Sequence, residues 1–405
     1  MTIKANITPQ IGLTPKTSRY RWVMLGLVWL LYFSFGLTIT TIAPLVIPIV
    51  EDLNMTYGQM GFVLGTWQLI YIFTAYPLGY LVDRFGVRKS LGVGIFLILI
   101  SLVLRGWADN FLELLITVSI FGFGGPIISI GAPKVVSLWF IGNERGLASG
   151  IYSTGPVLGA AVALATSASV VVPLTGSWRG ISPVYGSVVF LTCVLWCAFA
   201  KSDHKESYIG ITTSRSSILR TLITTKNVQL ILMLAVAAFF LNHSLNNWLP
   251  AILQEKHMTL TQAGFWAAIS MIAGIGGLLL FPSFAVYGNR KITLSILFSI
   301  SCICSFGLIF ATDLPLYAIL IIYSAVRLPI MPILTLVLME TREVGSERMG
   351  AAGGLFFAAA EIGGFGGPFL LGVLRDITGS MLPGLFMLGS MAGLLLLALP
   401  KIDEK

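Results

Sequence analysis

The second half of this chain repeats the first at an interval of 203 residues, and that interval divides the fold in two. Met55, Thr56, Gln59, Gly61 and Phe62 return as Met258, Thr259, Gln262, Gly264 and Phe265. Pro126 returns as Pro329, and Glu144, Arg145, Ala148 and Gly150 return as Glu347, Arg348, Ala351 and Gly353. The interval is about half of the 405 residues, so the chain reads as one unit duplicated. Two such units can enclose a site that opens to either side as they rock.

Each unit is too apolar for a water-soluble fold. Hydrophobic residues make up 56% of the chain and charged residues 10%, against about 25% charged in soluble domains. A membrane span needs about 20 mostly apolar residues to cross about 30 Å of hydrocarbon. Twelve stretches qualify, near 22–50, 58–82, 89–108, 111–140, 146–174, 180–200, 227–252, 260–286, 292–312, 315–339, 348–373 and 381–400. The expected fold class is therefore an all-α membrane protein, with two pseudo-symmetric bundles of six helices. The expected division is residues 1–200, a linker over 201–226, and residues 227–405. The first twenty residues are polar and basic, and the apolar stretch after them is too long for a signal-peptide core, so no cleaved leader is expected.

The formal charge of +8 follows the membrane topology. Of the 25 lysines and arginines, Arg105, Lys134 and Arg327 lie within spans. Arg179, Lys256 and Arg375 fall on one side, and the other nineteen on the opposite side with both termini. The positive-inside rule makes that second side cytoplasmic. A polyanion-binding patch is not indicated, so no nucleic-acid partner is expected. Trp22, Trp107, Trp139 and Trp248 stand near span ends, as interfacial aromatics do. Cys193, Cys197, Cys302 and Cys304 have no histidine or carboxylate near them in sequence; they read as small buried apolar residues, and no metal is expected.

Between spans 2 and 3 the chain reads Gly79-Tyr80-Leu81-Val82-Asp83-Arg84-Phe85-Gly86-Val87-Arg88-Lys89. This resembles the G-x-L-x-D-R-x-G-x-R-K signature of the major facilitator superfamily, and with the spans and the repeat the resemblance covers about residues 20–400. Its second-half echo keeps only Gly288, Asn289, Arg290 and Lys291. The resemblance implies gating roles for Asp83, Arg84 and Arg88, which would tie the end of span 2 to the start of span 11 in the outward-facing state. Two family features are incomplete. Val118 stands where an arginine would precede Gly122-Phe123-Gly124, and Gly150 is one residue too far from Gly155-Pro156-Val157-Leu158-Gly159 for the full antiporter signature. The stretch from Pro133 to Gly150 is similar to the span 4–5 junction of organic-anion, cyanate and oxalate carriers.

Four ionisable residues stand inside the predicted spans: Arg105, Lys134, Arg327 and Glu361. Placing one at mid-bilayer costs roughly 2.5–3.5 kcal/mol, so each is expected to face a polar cavity or a partner. Arg327, near the middle of span 10, suits a planar anion or an ion pair with Glu361. Its counterpart in the repeat is Gly124, so the halves differ there. Lys134 lies near the cytoplasmic end of span 4 and reads as a cavity residue or a snorkelling one. Arg105, near the outer end of span 3, is expected to snorkel. Glu361 is the one mid-depth carboxylate and the candidate for proton coupling. Tyr32, Gln68, Tyr71, Tyr152, Asn242 and Asn246 complete the substrate candidates, with His243 and Asn247 beside them.

The chain thus reads as a secondary carrier of a small anion in the cytoplasmic membrane, acting as a monomer by alternating access. Proton coupling and exchange both remain open at this point. The rival reading is a proton-coupled exporter of amphipathic or cationic compounds; a channel is a further alternative. No nucleotide loop, metal cluster or nucleophile–base pair is evident in the sequence, so neither an enzyme nor a cofactor is expected.

Overall fold

The computed structural model describes residues 19–201, 221–286, 290–342 and 344–401, except the side chains of 143, 283, 286 and 345–350. Most of the linker and the echo residues Gly288 and Asn289 lie outside that set, and so do the side chains of Glu347 and Arg348. The helices are α1 (Tyr20–Thr40), α2 (Tyr57–Phe85), α3 (Val87–Arg105), α4 (Phe111–Trp139), α5 (Asn143–Thr166) and α6 (Ile181–Phe199) in the first half. The second half holds α7 (Lys226–Glu255), α8 (Leu260–Val286), α9 (Arg290–Phe310), α10a (Asp313–Arg327), α10b (Ile330–Glu340), α11 (Gly345–Thr378) and α12 (Leu382–Leu395). Helices α10a and α10b are two pieces of one span, so the fold is the expected pair of six-helix bundles. Eleven spans among the described residues are long and apolar enough to cross a membrane. The twelfth, α2, is long enough but carries the polar residues Gln59, Gln68, Asp83 and Arg84.

The repeat survives as geometry. Thr56 and Gln59 form a reciprocal capping box at the start of α2, Thr56 N donating to Gln59 Oε1 at 2.9 Å. Thr259 and Gln262 do the same before α8, at 3.1 and 3.2 Å. This pairing satisfies two backbone donors that a helix start leaves open. Upstream of each cap the chain turns through a left-handed residue, Asn54 (φ 49°) and His257 (φ 67°), and these too are 203 apart. The amide nitrogens of Met55 and Met258 then donate to the carbonyls of Val50 and Leu253, their equivalents in each half.

Span 10 departs from the expected single helix. Its backbone breaks at Leu328-Pro329, where Pro329 supplies no N–H and Pro332 follows one turn later. Pro126, the counterpart of Pro329, lies inside the unbroken α4. Span 1 is also interrupted, α1 giving way to a short 3₁₀ turn and the helix Val46–Asp52. In span 5 a π-helical turn, Ser167–Val171, follows α5.

Glycine lets the helices meet backbone to backbone. A Cβ on Gly155 would stand 2.9 Å from the carbonyl oxygen of Trp29, and one on Gly367 would stand 2.6 Å from that of Phe240. So α5 lies on α1 and α11 on α7, equivalent pairs in the two halves. Between halves, α2 meets α11 at Gly61 against the Pro368 carbonyl, and α8 meets α5 at Gly264 against the Leu164 carbonyl. Gly61 and Gly264 are again repeat partners. All these inter-half contacts lie toward one end of the seam. Toward the other end, Gly79 meets only Ile130 of its own half, while Gly146, Gly150 and Gly354 have nothing within 4 Å. The seam is shut at the Asp376 end, and at the Asp83 end these glycines make no contact across the halves among the described residues.

Two expectations fail on burial. Trp248 is fully buried rather than interfacial, because its indole N–H donates to the Pro368 carbonyl at 2.9 Å across the α7–α11 contact. Of the four cysteines, Cys193 and Cys304 are buried as expected, but Cys302 is half-buried and Cys197 is exposed. An apolar thiol is as well accommodated by lipid as by a protein interior.

Candidate functional site

The break in span 10 sets the position of its charge. Arg327 is the last residue of α10a, where the free carbonyls of a helix end favour a cation. Its Nη1 donates to the backbone oxygen of Asn242 at 2.6 Å and to Asn242 Oδ1 at 2.7 Å. Its Nη2 donates to Asn246 Oδ1 at 2.9 Å. Asn242 and Asn246 are one turn apart on α7 and so reach the same guanidinium. The residue is 7% exposed, while both asparagines are half-buried. On its far side, toward α8 and α9, Arg327 borders a void of about 10 Å³ with Tyr323, Ser324 and Ser270.

The partners are neutral. The expected ion pair with Glu361 does not form: amide oxygens take the guanidinium, and no carboxylate pairs with it among the described residues. Amide oxygens satisfy N–H groups but cancel no charge, so a unit positive charge stays uncompensated inside the bundle. A guanidinium has five N–H bonds, and these contacts use three of them.

Glu361 sits elsewhere, on α11, and is 5% exposed. It shares the space beside Gly364 with Gln68 of α2 and His243 of α7. A Cβ on Gly364 would lie 2.6 Å from Glu361 Oε2, 3.1 Å from Gln68 Cγ and 3.3 Å from His243 Cδ2. Gln68 Nε2 and His243 Nδ1 are 3.1 Å apart, which links the first half to the second in mid-span. With the amide donating, the imidazole carries its hydrogen on Nε2. Gln68 Oε1 and Glu361 Oε2 are both buried and have no hydrogen-bond partner among the described residues.

Aromatic residues line the first-half side of this region. Tyr32 donates to the Ser129 carbonyl at 3.1 Å and meets Tyr152 edge-on at 5.3 Å. Trp67 packs against Phe35, Tyr71 and Phe121, and its ring is 5.9 Å from that of His243. Tyr32, Tyr71 and Tyr152 are half-buried. Of the sequence candidates, Asn242, Asn246 and Arg327 come together in one cluster, Gln68 and Glu361 in a second, and Tyr32, Tyr71 and Tyr152 on the aromatic wall.

Lys134 joins none of these. Its Nζ is 3.0 Å from Asp83 Oδ1, so the span 4 cation meets the span 2 carboxylate within the first half. Arg84 lies against the Phe85 ring at 5.6 Å, and Arg88 donates to the Cys197 carbonyl at 3.3 Å. In the second half the polarity reverses: Arg290 at the start of α9 pairs with Glu340 at the end of α10b at 2.5 Å.

Arg105 is a correction. It does not snorkel but is 1% exposed. Nη1 donates to the Thr38 carbonyl at 2.8 Å and to Thr41 Oγ1 at 3.1 Å, and Nη2 donates to Ser101 Oγ at 3.2 Å. The break after α1 frees the Thr38 carbonyl that holds it, and hydropathy alone gives no sign of that.

The shut end of the seam holds residues that sequence reading did not single out. Asp376, near the end of α11, accepts from Tyr57 N at 2.8 Å and from Gly58 N at 2.7 Å, the first amides of α2. Arg375 covers the Tyr57 ring at 5.0 Å and lies 3.7 Å from Glu255, which itself caps Met381 N at 2.9 Å. Their signal was weak: Asp376 is one acidic residue at a span end, and its partners are over 300 positions away.

Comparisons with known proteins agree with this architecture. The family model described as Major Facilitator Superfamily matches residues 28–368. A protein of Escherichia coli K12 named "Probable L-galactonate transporter" is 24% identical over 289 residues, covering 67% of this chain and 63% of that one. A "Probable sulfoacetate transporter" of Cupriavidus necator is 24% identical over 423 residues, covering 95% of each. Among solved structures, a D-xylose–proton symporter superposes with a TM-score of 0.80 at 16% identity, over 95% of this chain and 98% of that one. The family match spans most of the sequence, and the chain belongs to the Major Facilitator Superfamily.

Proposed function

We propose that this protein is a secondary carrier of a small organic anion, working by alternating access, with Arg327 as the counter-charge and Glu361 as the proton-coupling carboxyl. The observation that carries the reading is the buried guanidinium of Arg327, held by amide oxygens alone. An anion entering the seam supplies the charge that Asn242 and Asn246 cannot, and the uncommitted N–H bonds suit a carboxylate or sulfonate. Relatives named for L-galactonate and sulfoacetate support that class of solute. Tyr32, Tyr71 and Tyr152 form the opposite wall of the site, while Gln68, bonded to His243, moves from the substrate set to the Glu361 cluster. Lys134 moves from the substrate set to the gate, where it holds Asp83 with Arg84 and Arg88 alongside.

With the Asp83 end cytoplasmic, as the basic residues indicate, the shut end of the seam faces outward. Both termini are then cytoplasmic, the setting is the plasma membrane, and the two units are residues 1–200 and 227–405 of a monomer. Beyond the proton taken up and released at the Glu361 carboxyl, no bond-making chemistry is assigned to these residues.

Reconstituted uptake under an imposed pH gradient tests the assignment. Sugar acids and short carboxylates or sulfonates should compete for uptake, and lipophilic cations should not. The aromatic wall around Trp67 and Tyr71 favours the rival reading, export of amphipathic cations; inhibition by cations but not anions would select it.

A further inference from the structure

Gln68 Oε1 and Glu361 Oε2 are buried hydrogen-bond acceptors without donors among the described residues, and they belong to opposite halves of the protein. An orphaned buried acceptor is uncommon, because it loses its water and gains nothing in return. Both side chains border Gly364, through Glu361 Oε2 and Gln68 Cγ, and a hydrogen added to the carboxyl is the one donor that both oxygens lack. Gly364 leaves room for it: a Cβ there would stand 2.6 Å from Glu361 Oε2, and the carboxyl would have to shift.

The Gln68 amide is already oriented. His243 Nδ1 faces its nitrogen at 3.1 Å, so the carbonyl oxygen is the end left without a partner among the described residues. The imidazole is itself held between Phe239, at 5.1 Å, and Trp67, at 5.9 Å. The groups around Glu361 are uncharged or committed elsewhere. Tyr71 faces it from α2 and His243 from α7, while Arg327 on α10a, which acts on His243, is bound by Asn242 and Asn246. Among the described residues Glu361 forms no ion pair, and its Oε2 has no hydrogen-bond partner.

We propose that Gln68 is the positioning residue that carries the protonation state of Glu361 to the other half. This rests on Glu361 as the proton-coupling carboxyl and goes beyond it by naming the receiver. In the proton-loaded carrier the Glu361 hydroxyl donates to Gln68 Oε1, and α2 is tied to α11 in mid-span. On release the proton passes to water on the side to which the seam is open. The hydrogen bond is then lost, two acceptors face one another, and the α2–α11 contact loosens. No covalent bond other than the carboxyl O–H is made or broken.

The test uses the full chain in proteoliposomes, with the most effective sugar acid or sulfonate from the competition panel as probe. Two rates are compared: uptake driven by a pH gradient, and anion exchange at equal pH. Glu361→Gln keeps exchange and loses gradient-driven uptake. Gln68→Met, close in shape but without the acceptor, should lower gradient-driven uptake about tenfold relative to exchange, the scale of one buried hydrogen bond. Its KM for the anion should stay within about twofold, since the variant leaves Arg327 and its asparagines in place. The double variant should be no worse than Glu361→Gln alone, because both changes remove the same link.

If Glu361→Gln retains gradient-driven uptake, the proton-coupling reading itself is wrong. If Glu361→Gln loses it while Gln68→Met keeps the wild-type ratio, that reading stands and the role of Gln68 is overturned. An infrared spectrum of purified protein decides independently of transport. The protonated-carboxyl band that Glu361→Gln removes should move to higher frequency in Gln68→Met and in Gln68→Ala, as a lost hydrogen bond requires. An unmoved band in either folded variant overturns the proposal.

Discussion

Arg105 and Arg327 are both buried, both end a helix, and both are bound by neutral oxygen atoms, yet they occupy different kinds of place. The shell around Arg105 is sealed: Thr38, Thr41 and Ser101 are each 0% exposed. The shell around Arg327 is Asn242 and Asn246, both half-buried on the helix that carries His243 into the seam. Arg105 closes the end of α3 against α1, and the Phe121 ring stands 5.8 Å from its guanidinium. Arg327 stands at a break in mid-span, beside a residue that reaches the other half. Burial therefore does not separate a structural cation from one proposed to meet the substrate. Whether its partners can be reached from the seam does.

Substitution can break that comparison. The largest expected effect is that of Arg327→Gln, which should reduce anion transport about a hundredfold, in line with loss of a buried charged partner. Its melting temperature should stay close to wild type, because Asn242 and Asn246 can still bond a glutamine amide or water. Arg327→Lys should recover only part of the rate, since an ammonium lacks the planar fork. Arg105→Gln should behave in the opposite way. It removes the Arg105 donor to the Thr41 and Ser101 hydroxyls and one of two donors to the Thr38 carbonyl, and should cost about 2–3 kcal/mol of stability, seen as a lower melting temperature in detergent. Transport per folded molecule should remain. A stable, inactive Arg105→Gln protein would show that the two sites are not distinct in kind.

The two ends of the α2–α11 seam sharpen the comparison. Asp376 binds the first amides of α2 with a charge that the helix N-terminus favours. Asp376→Asn should weaken the shut end about three- to tenfold in favour of the state open on that side. A cysteine in place of Gly58, probed with an impermeant thiol reagent, reports the change as faster labelling. The smallest effect should come from Asp83→Asn or Lys134→Met. Their ion pair is partly exposed, and such pairs contribute about 0–1 kcal/mol, so transport in this conformation should change less than about threefold.

Much of the fold can be read along the chain because its causes are local or periodic. The capping boxes at Thr56 and Thr259 are four-residue patterns, and their 203-residue spacing is visible without any structure. Arg327, Asn242 and Asn246 also stand out one by one, because polar groups are costly in apolar spans. Their assembly into one cluster does not, since it depends on the break at Pro329. Pro126 occupies the same place in the first half without breaking α4, so proline alone is no guide. Arg105 and Lys134 are visible as charges, but hydropathy says nothing of the Thr38 carbonyl or the Asp83 carboxylate that hold them. Asp376 and Gln68 act through contacts across the halves, which only the assembled bundle brings together.

The most direct test of the whole account is uptake of sugar acids and sulfonates into proteoliposomes holding either wild type or Arg327→Gln, with folded protein quantified in both. The account predicts saturable uptake by wild type, competed by anions and untouched by lipophilic cations, and almost none by the variant. Equal anion uptake by the two proteins would contradict it.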